Sequence, residues 1–134
     1  MTPADAAQRW AATWQAAWQQ LDPEPIVALY AADALLSTEP FREPYAGRHG
    51  VRDYVTRVFG EEEDPLVDVG EPIVEADRAA VPWWASLSEE GADTTLAGTS
   101  VLRFDAEGLV REQWDTWNVV PERRRPPDGW GPFR

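Results

Sequence analysis

The chain has 134 residues, with 24 acidic against 12 basic side chains for a formal net charge of −12, no cysteine and eight tryptophans. That length fits one domain whose core needs no staple, the missing cysteines exclude thiolate catalysis, thiolate metal sites and disulfides, and the charge argues against nucleic acid, whose binding rests on neutralising cations. No basic segment followed by an apolar run opens the chain and no stretch reaches the length of a membrane span, so a cytoplasmic protein with no membrane partner is expected.

Thr2-Pro3-Ala4-Asp5 begins a helix, with Thr as cap, Pro at the first helical position and an acid near the positive end of the dipole. Trp10, Trp14, Ala17, Trp18 and Leu21 then share one stripe at helical spacing, which makes this an amphipathic helix with a Trp-rich buried face. Asp22-Pro23 caps a second helix with Ile26, Leu29 and Tyr30 on its inner side, ending at Asp33-Ala34. Leu35 to Thr38 reads as a short extended piece, and the two prolines of Glu39-Pro40-Phe41-Arg42-Glu43-Pro44-Tyr45 make a stiff loop. A third helix starts between Gly47 and Gly50, buries Val51, Tyr54, Val55, Val58 and Phe59, and stops at Gly60.

Beyond the acidic run Glu61 to Asp64, expected as a solvated turn, the pattern changes to strands: Leu66 to Ala76, Ala79 to Leu87, Thr94 to Phe104 and Leu109 to Val120. Short connections, among them Glu89-Glu90-Gly91, predict an antiparallel meander, with Pro72 and Pro82 marking edges, bulges or bends. Helices first and strands after give an α+β fold. In the last strand, alternation places Gln113, Asp115 and Trp117 on one face and Glu112, Trp114, Thr116 and Asn118 on the other. A carboxylate between an amide and an indole is costly to bury without a partner or a task. Residues 1–120 are thus expected to form the domain and 121–134 a Pro/Arg-rich tail, with Trp130 or Phe133 docking on the body.

Helix, helix, loop, helix and a long meander, with Ile26-Val27-Ala28-Leu29-Tyr30-Ala31-Ala32-Asp33-Ala34 and Glu39-Pro40-Phe41 in front and Leu102-Arg103-Phe104-Asp105, Gly108-Leu109-Val110 and Trp114-Asp115 behind, resembles the nuclear-transport-factor-2-like superfamily, in its SnoaL-like and ketosteroid-isomerase-like branches. The resemblance implies three N-terminal helices on a strongly curved antiparallel sheet, a cone enclosing an apolar pocket. The isomerase pattern sets Trp14 and Ser100 at its two oxyanion-donor positions and Glu39 at its general base. The SnoaL-like cyclase pattern sets Asp115 at its acid/base position, in Glu112-Gln113-Trp114-Asp115 with Gln113 where that branch has histidine.

Three functions compete on these grounds. The first is a proton-transfer catalyst acting on a small, mainly apolar carbonyl compound, with Asp115 and Glu39 as candidate catalytic carboxylates, Gln113 and Ser100 as polar orienters, and Trp14, Trp18, Tyr30, Phe41, Tyr54 and Trp117 as pocket walls. The second is a binding module using the same cone without turnover, and the third a structural dimer formed through the sheet face that carries Trp114. A homodimer is expected in each case. No cofactor is implied. His49 is expected as a surface or capping residue, and without a second histidine no facial metal triad can form.

Overall fold

A computed structural model of the protein describes residues 1–132. Helix α1 (Pro3–Gln20) starts at a capping box in which Thr2 Oγ1 accepts the Asp5 amide at 3.1 Å and the Asp5 carboxylate accepts the Thr2 amide at 3.3 Å. It ends at Leu21, whose left-handed φ of 53° turns the chain. Its buried stripe includes Trp10, Trp14, Ala17 and Trp18, so the helical period read from the sequence is the one that packs.

Helix α2 spans only Pro23–Val27, and strand β1 (Tyr30–Ser37) begins where the helix was expected to continue to Ala34. The cause is tertiary. Tyr30, Ala34 and Leu36 fall on one face of a strand while Tyr30 and Ala34 also share a helical face, and a helix this short gains little from propagation. The sheet offers a ladder instead, with the Val110 amide donating to the Leu29 carbonyl at 2.9 Å. Strand β2 (Tyr45–Ala46) then leads into helix α3 (Gly47–Gly60), which buries Val51, Val55 and Phe59.

Strands β3 (Glu62–Val69), β4 (Ile73–Glu75), β5 (Arg78–Glu89), β6 (Ala92–Phe104) and β7 (Val110–Val120) follow. The order across the sheet is β2-β1-β7-β6-β5-β3, with β4 pairing on β5. The expected meander is present from β3 to β7, but β1 adds on its far side, parallel to β7. That addition makes β7 a central strand. The first predicted strand is split in two, because the chain leaves the ladder at Gly70-Glu71-Pro72 opposite Pro82, which has no amide to offer. Its start also differs: the acidic run is no solvated turn, since β3 takes up Glu62 and Glu63 and a register shift between Glu63 and Leu66 re-aims their side chains.

The three helices cover one face of this curved, mostly antiparallel sheet of seven strands, and the core lies between them. Curvature has a local origin at Gly98 in β6. A Cβ built there would lie 2.8 Å from Trp117 Cβ and nearer still to the Thr116 carbonyl oxygen, so only a residue without a side chain lets β6 and β7 close on each other.

The C-terminal segment runs over the outer face of β5 and β6. Thr95 Oγ1 donates to the Glu122 carbonyl at 2.7 Å, Trp84 Nε1 donates to the Arg124 carbonyl at 2.7 Å, and the Trp130 ring meets Trp84 edge-on with centroids 6.0 Å apart. Phe133, the other expected anchor, lies outside the described residues. The rest of the outer face stays open, with Leu35, Val101 and Trp114 exposed. Among the described residues no helix is long and apolar enough to cross a membrane.

Candidate functional site

Between the helices and the inner face of the sheet lies a cavity of about 260 Å³. Its aromatic wall follows from the helical stripe of α1: Trp14 and Trp18 pack at 5.8 Å, and Trp18 continues to Trp83 of β5 at 5.7 Å and to Phe59 of α3 at 6.5 Å. The polar floor comes from the inward alternation of β6 and β7, which brings Ser100 opposite Asp115 with Gln113 two residues away on the same face.

A directed hydrogen-bond network ends on Asp115. Trp83 Nε1 donates to Ser100 Oγ at 3.0 Å, and Ser100 Oγ donates to Asp115 Oδ1 at 2.6 Å. From the other side Trp10 and Trp14 donate to the Tyr30 hydroxyl at 3.4 and 3.3 Å, Tyr30 donates to Gln113 Oε1, and the amide orientation this fixes makes Gln113 Nε2 donate to Asp115 Oδ1 at 3.0 Å. Both donors thus converge on Oδ1, and no described side chain donates to Oδ2. Burial pushes the Asp115 carboxyl up to about 6, while the bonds from Ser100 and Gln113 hold it below what burial alone would produce. Burial likewise raises the Tyr30 phenol, which keeps it a neutral donor.

A second acid faces the same cavity. Glu62, only 6% exposed, receives Trp18 Nε1 on Oε1 at 2.7 Å. Burial pushes its carboxyl up to about 7, the indole bond opposes the rise, and the negative charges of Glu89 and Glu61 add to it. Burial thus brings both carboxyls toward neutral pH, so one cavity holds two acids in the range where a side chain can exchange protons.

Of the residues expected at a site, Trp14, Trp18, Glu39, Tyr54, Ser100, Gln113, Asp115 and Trp117 all line the cavity. Glu39 and Trp117 stand at its mouth, where Trp117 Nε1 donates to the Thr38 carbonyl at 3.1 Å. Two expected wall residues do not line it. Phe41 is fully exposed on the proline-stiffened loop, and Tyr30 is completely buried beneath the floor, acting on the cavity only through Gln113. Trp14 contributes its ring, but its N–H points at Tyr30 and so is not offered to a ligand as an oxyanion donor.

Glu62 escaped the sequence reading because the acidic run was expected as a solvated turn ahead of the strand; β3 instead begins there, and the bulge before Leu66 turns Glu62 rather than Glu63 inward. Pro65 is the sequence signal for the break, where Asp64 takes a left-handed φ of 50°. His49 is exposed and sits 3.2 Å from Asp53 on α3. Among the described residues no group of His, Asp and Glu side chains is arranged to hold a metal ion.

The SnoaL-like domain family matches residues 9–113, which takes in α1 from Arg9 onward, most of the cavity wall and β7 as far as Gln113. The chain belongs to that family. Solved structures agree on the fold. A ketosteroid isomerase-like hypothetical protein from Catenulispora acidiphila, crystallised with trimethylamine, superposes with a TM-score of 0.69 at 20% identity over 78% of this chain and 82% of its own. The epoxide hydrolase/cyclase-like enzyme SalBIII of pyran ring formation in salinomycin gives 0.74 at 16% identity, over 88% and 98%. Rv0760c of Mycobacterium tuberculosis gives 0.71 at 18% identity, over 90% and 96%. Among curated proteins none matches this SnoaL-like chain. Its fold is thereby that of the SnoaL-like and ketosteroid-isomerase-like branch, a scaffold that hosts many chemistries, so function has to be argued from the cavity.

Proposed function

We propose that this SnoaL-like protein binds a small, mainly apolar molecule in the cone and exchanges a proton with it through Asp115. The observation that carries the reading is the state of that carboxylate: it faces an aromatic-walled cavity, its Oδ1 is saturated by Ser100 and Gln113, and burial tunes it to about 6. A base held in one orientation with a second lone-pair oxygen to spare suits abstraction of a proton next to a carbonyl. Ser100 and Gln113 act as positioning residues, and Glu39 at the mouth is the other candidate carboxylate. That one fold neighbour is a cyclase-like enzyme and another holds trimethylamine fits a cone used for small molecules.

The test is hydrogen exchange in D2O. A panel of small enolisable ketones is incubated with the protein and followed by NMR, and exchange at the carbon next to the carbonyl is expected with the wild type and lost in Asp115→Asn. Ketones that bind, seen by perturbed amide signals of cavity residues, but exchange no faster than in buffer would replace catalysis by binding alone. One feature favours that second reading: Gln113 has an amide that cannot take up or deliver a proton, so Asp115 has no titrating partner beside it.

The homodimer belongs to the same proposal. Val101 and Trp114 are direct cross-strand neighbours on the outer face, and with Leu35 they are exposed at 46%, 53% and 47%. An aromatic among aliphatics on an open sheet face is the composition of an interface core.

A further inference from the structure

We propose that the ligand of this cavity carries a positively charged amine or quaternary ammonium group, seated between the Glu62 carboxylate and the rings of Trp14, Trp18, Phe59 and Trp83. The inference rests on the small-molecule reading of the cone and names the chemical class that its second acid selects. Glu62 is buried at the cavity wall with Trp18 Nε1 on Oε1, and no described side chain donates to Oε2. The charges that act on it are Glu61 on its own segment and Glu89 across the β3–β5 pair, both negative, where Glu62 sits directly opposite Glu89.

The cations nearby are committed elsewhere. Arg42 lies over the Tyr45 ring at 4.5 Å, Arg57 lies 5.7 Å from the Tyr54 ring and donates to the Tyr45 hydroxyl at 2.9 Å, and Arg123 donates to the backbone carbonyls of Asp64 and Glu63. A buried acid with acidic neighbours and no ion-pair partner among the described residues is an electrostatic vacancy that a positive ligand fills. The wall beside it supplies the matching attraction. Trp18 holds the carboxylate by its N–H while its ring is the hub that Trp14, Phe59 and Trp83 pack around, and indole and phenyl rings attract ammonium groups through their quadrupoles, most strongly where water is excluded. An anion, by contrast, meets a lining with five carboxylates, Glu39, Glu61, Glu62, Glu89 and Asp115, against two cations, Arg42 and Arg57.

The experiment compares choline with 3,3-dimethylbutan-1-ol, its uncharged counterpart of the same shape, by calorimetric titration of the intact protein at pH 8, where Glu62 is ionised. Choline is expected to bind at least about tenfold more tightly than the alcohol. In Glu62→Gln, which keeps the side-chain shape and an acceptor for Trp18, that preference is expected to shrink severalfold, to what the rings alone contribute. Equal affinities in the wild type, which needs no variant to fold, would overturn the cation while leaving the cone a small-molecule site. A preference undiminished in Glu62→Gln, or no choline binding at millimolar concentration, would overturn it too, and the ketone exchange assay then decides the small-molecule reading separately.

Discussion

Replacing Asp115 by Asn removes a charge that the fold resists and keeps the geometry the fold needs. The Asn oxygen can accept from both Ser100 Oγ and Gln113 Nε2, as Asp115 Oδ1 does at 2.6 and 3.0 Å, and its amide group takes the oxygen position that no described side chain donates to. In the wild type the carboxyl goes from its ordinary 3.8 to about 6 on folding. The group is an acid with a raised value, so its contribution is fully present below the unfolded pKa and is lost as pH rises through the folded one. A rise of roughly two units corresponds to about 3 kcal/mol at 1.36 kcal/mol per unit, complete by about pH 7 and about half developed near pH 5. Urea unfolding of both proteins between pH 4 and pH 8 measures it, since Glu62 and the other acids titrate in both and cancel in the difference. Asn is expected to gain on Asp by up to about 3 kcal/mol across that window. Parallel stability profiles, or a variant that loses stability relative to the wild type as pH rises, would refute a strained carboxylate and leave Asp115 as a structural acceptor.

Gly98→Ala is expected to cost about 2 kcal/mol or more, because the new methyl meets the backbone of β7 at Thr116 and Trp117 and cannot be relieved by turning a side chain; an unchanged urea midpoint would show the curvature to be less constrained. Trp114→Ser is expected to convert a dimer into a monomer in light scattering at micromolar concentration, and a wild type already monomeric there removes the sheet-face interface. Ending the chain after Val120 deletes the bonds from Thr95 and Trp84 and the Trp84–Trp130 contact, and is expected to cost about 2 kcal/mol in urea unfolding with Trp84 shifting to a more solvated emission; equal stability would make the segment a passive cover.

Periodicity alone determined the largest pieces of this protein. The helical stripe Trp10-Trp14-Trp18 and the period-two alternation of Gln113, Asp115 and Trp117 depend only on which residues are apolar and how far apart they stand, and both packed as read. The same count put Trp114 on the face opposite Asp115, while the family resemblance implied which of the two turns inward. Long-range pairing decided what those patterns left open. Tyr30 fits a helix and a strand equally well, and the parallel ladder with β7 chose the strand, burying the phenol under the floor where it orients Gln113. The bulge before Leu66 turned Glu62 inward although nothing in the run of four acids singles it out. A charge is costly or cheap according to what surrounds it, and those surroundings come from α1, α3 and β5, segments distant in sequence, so the second acid of the cavity becomes visible only when the chain is folded.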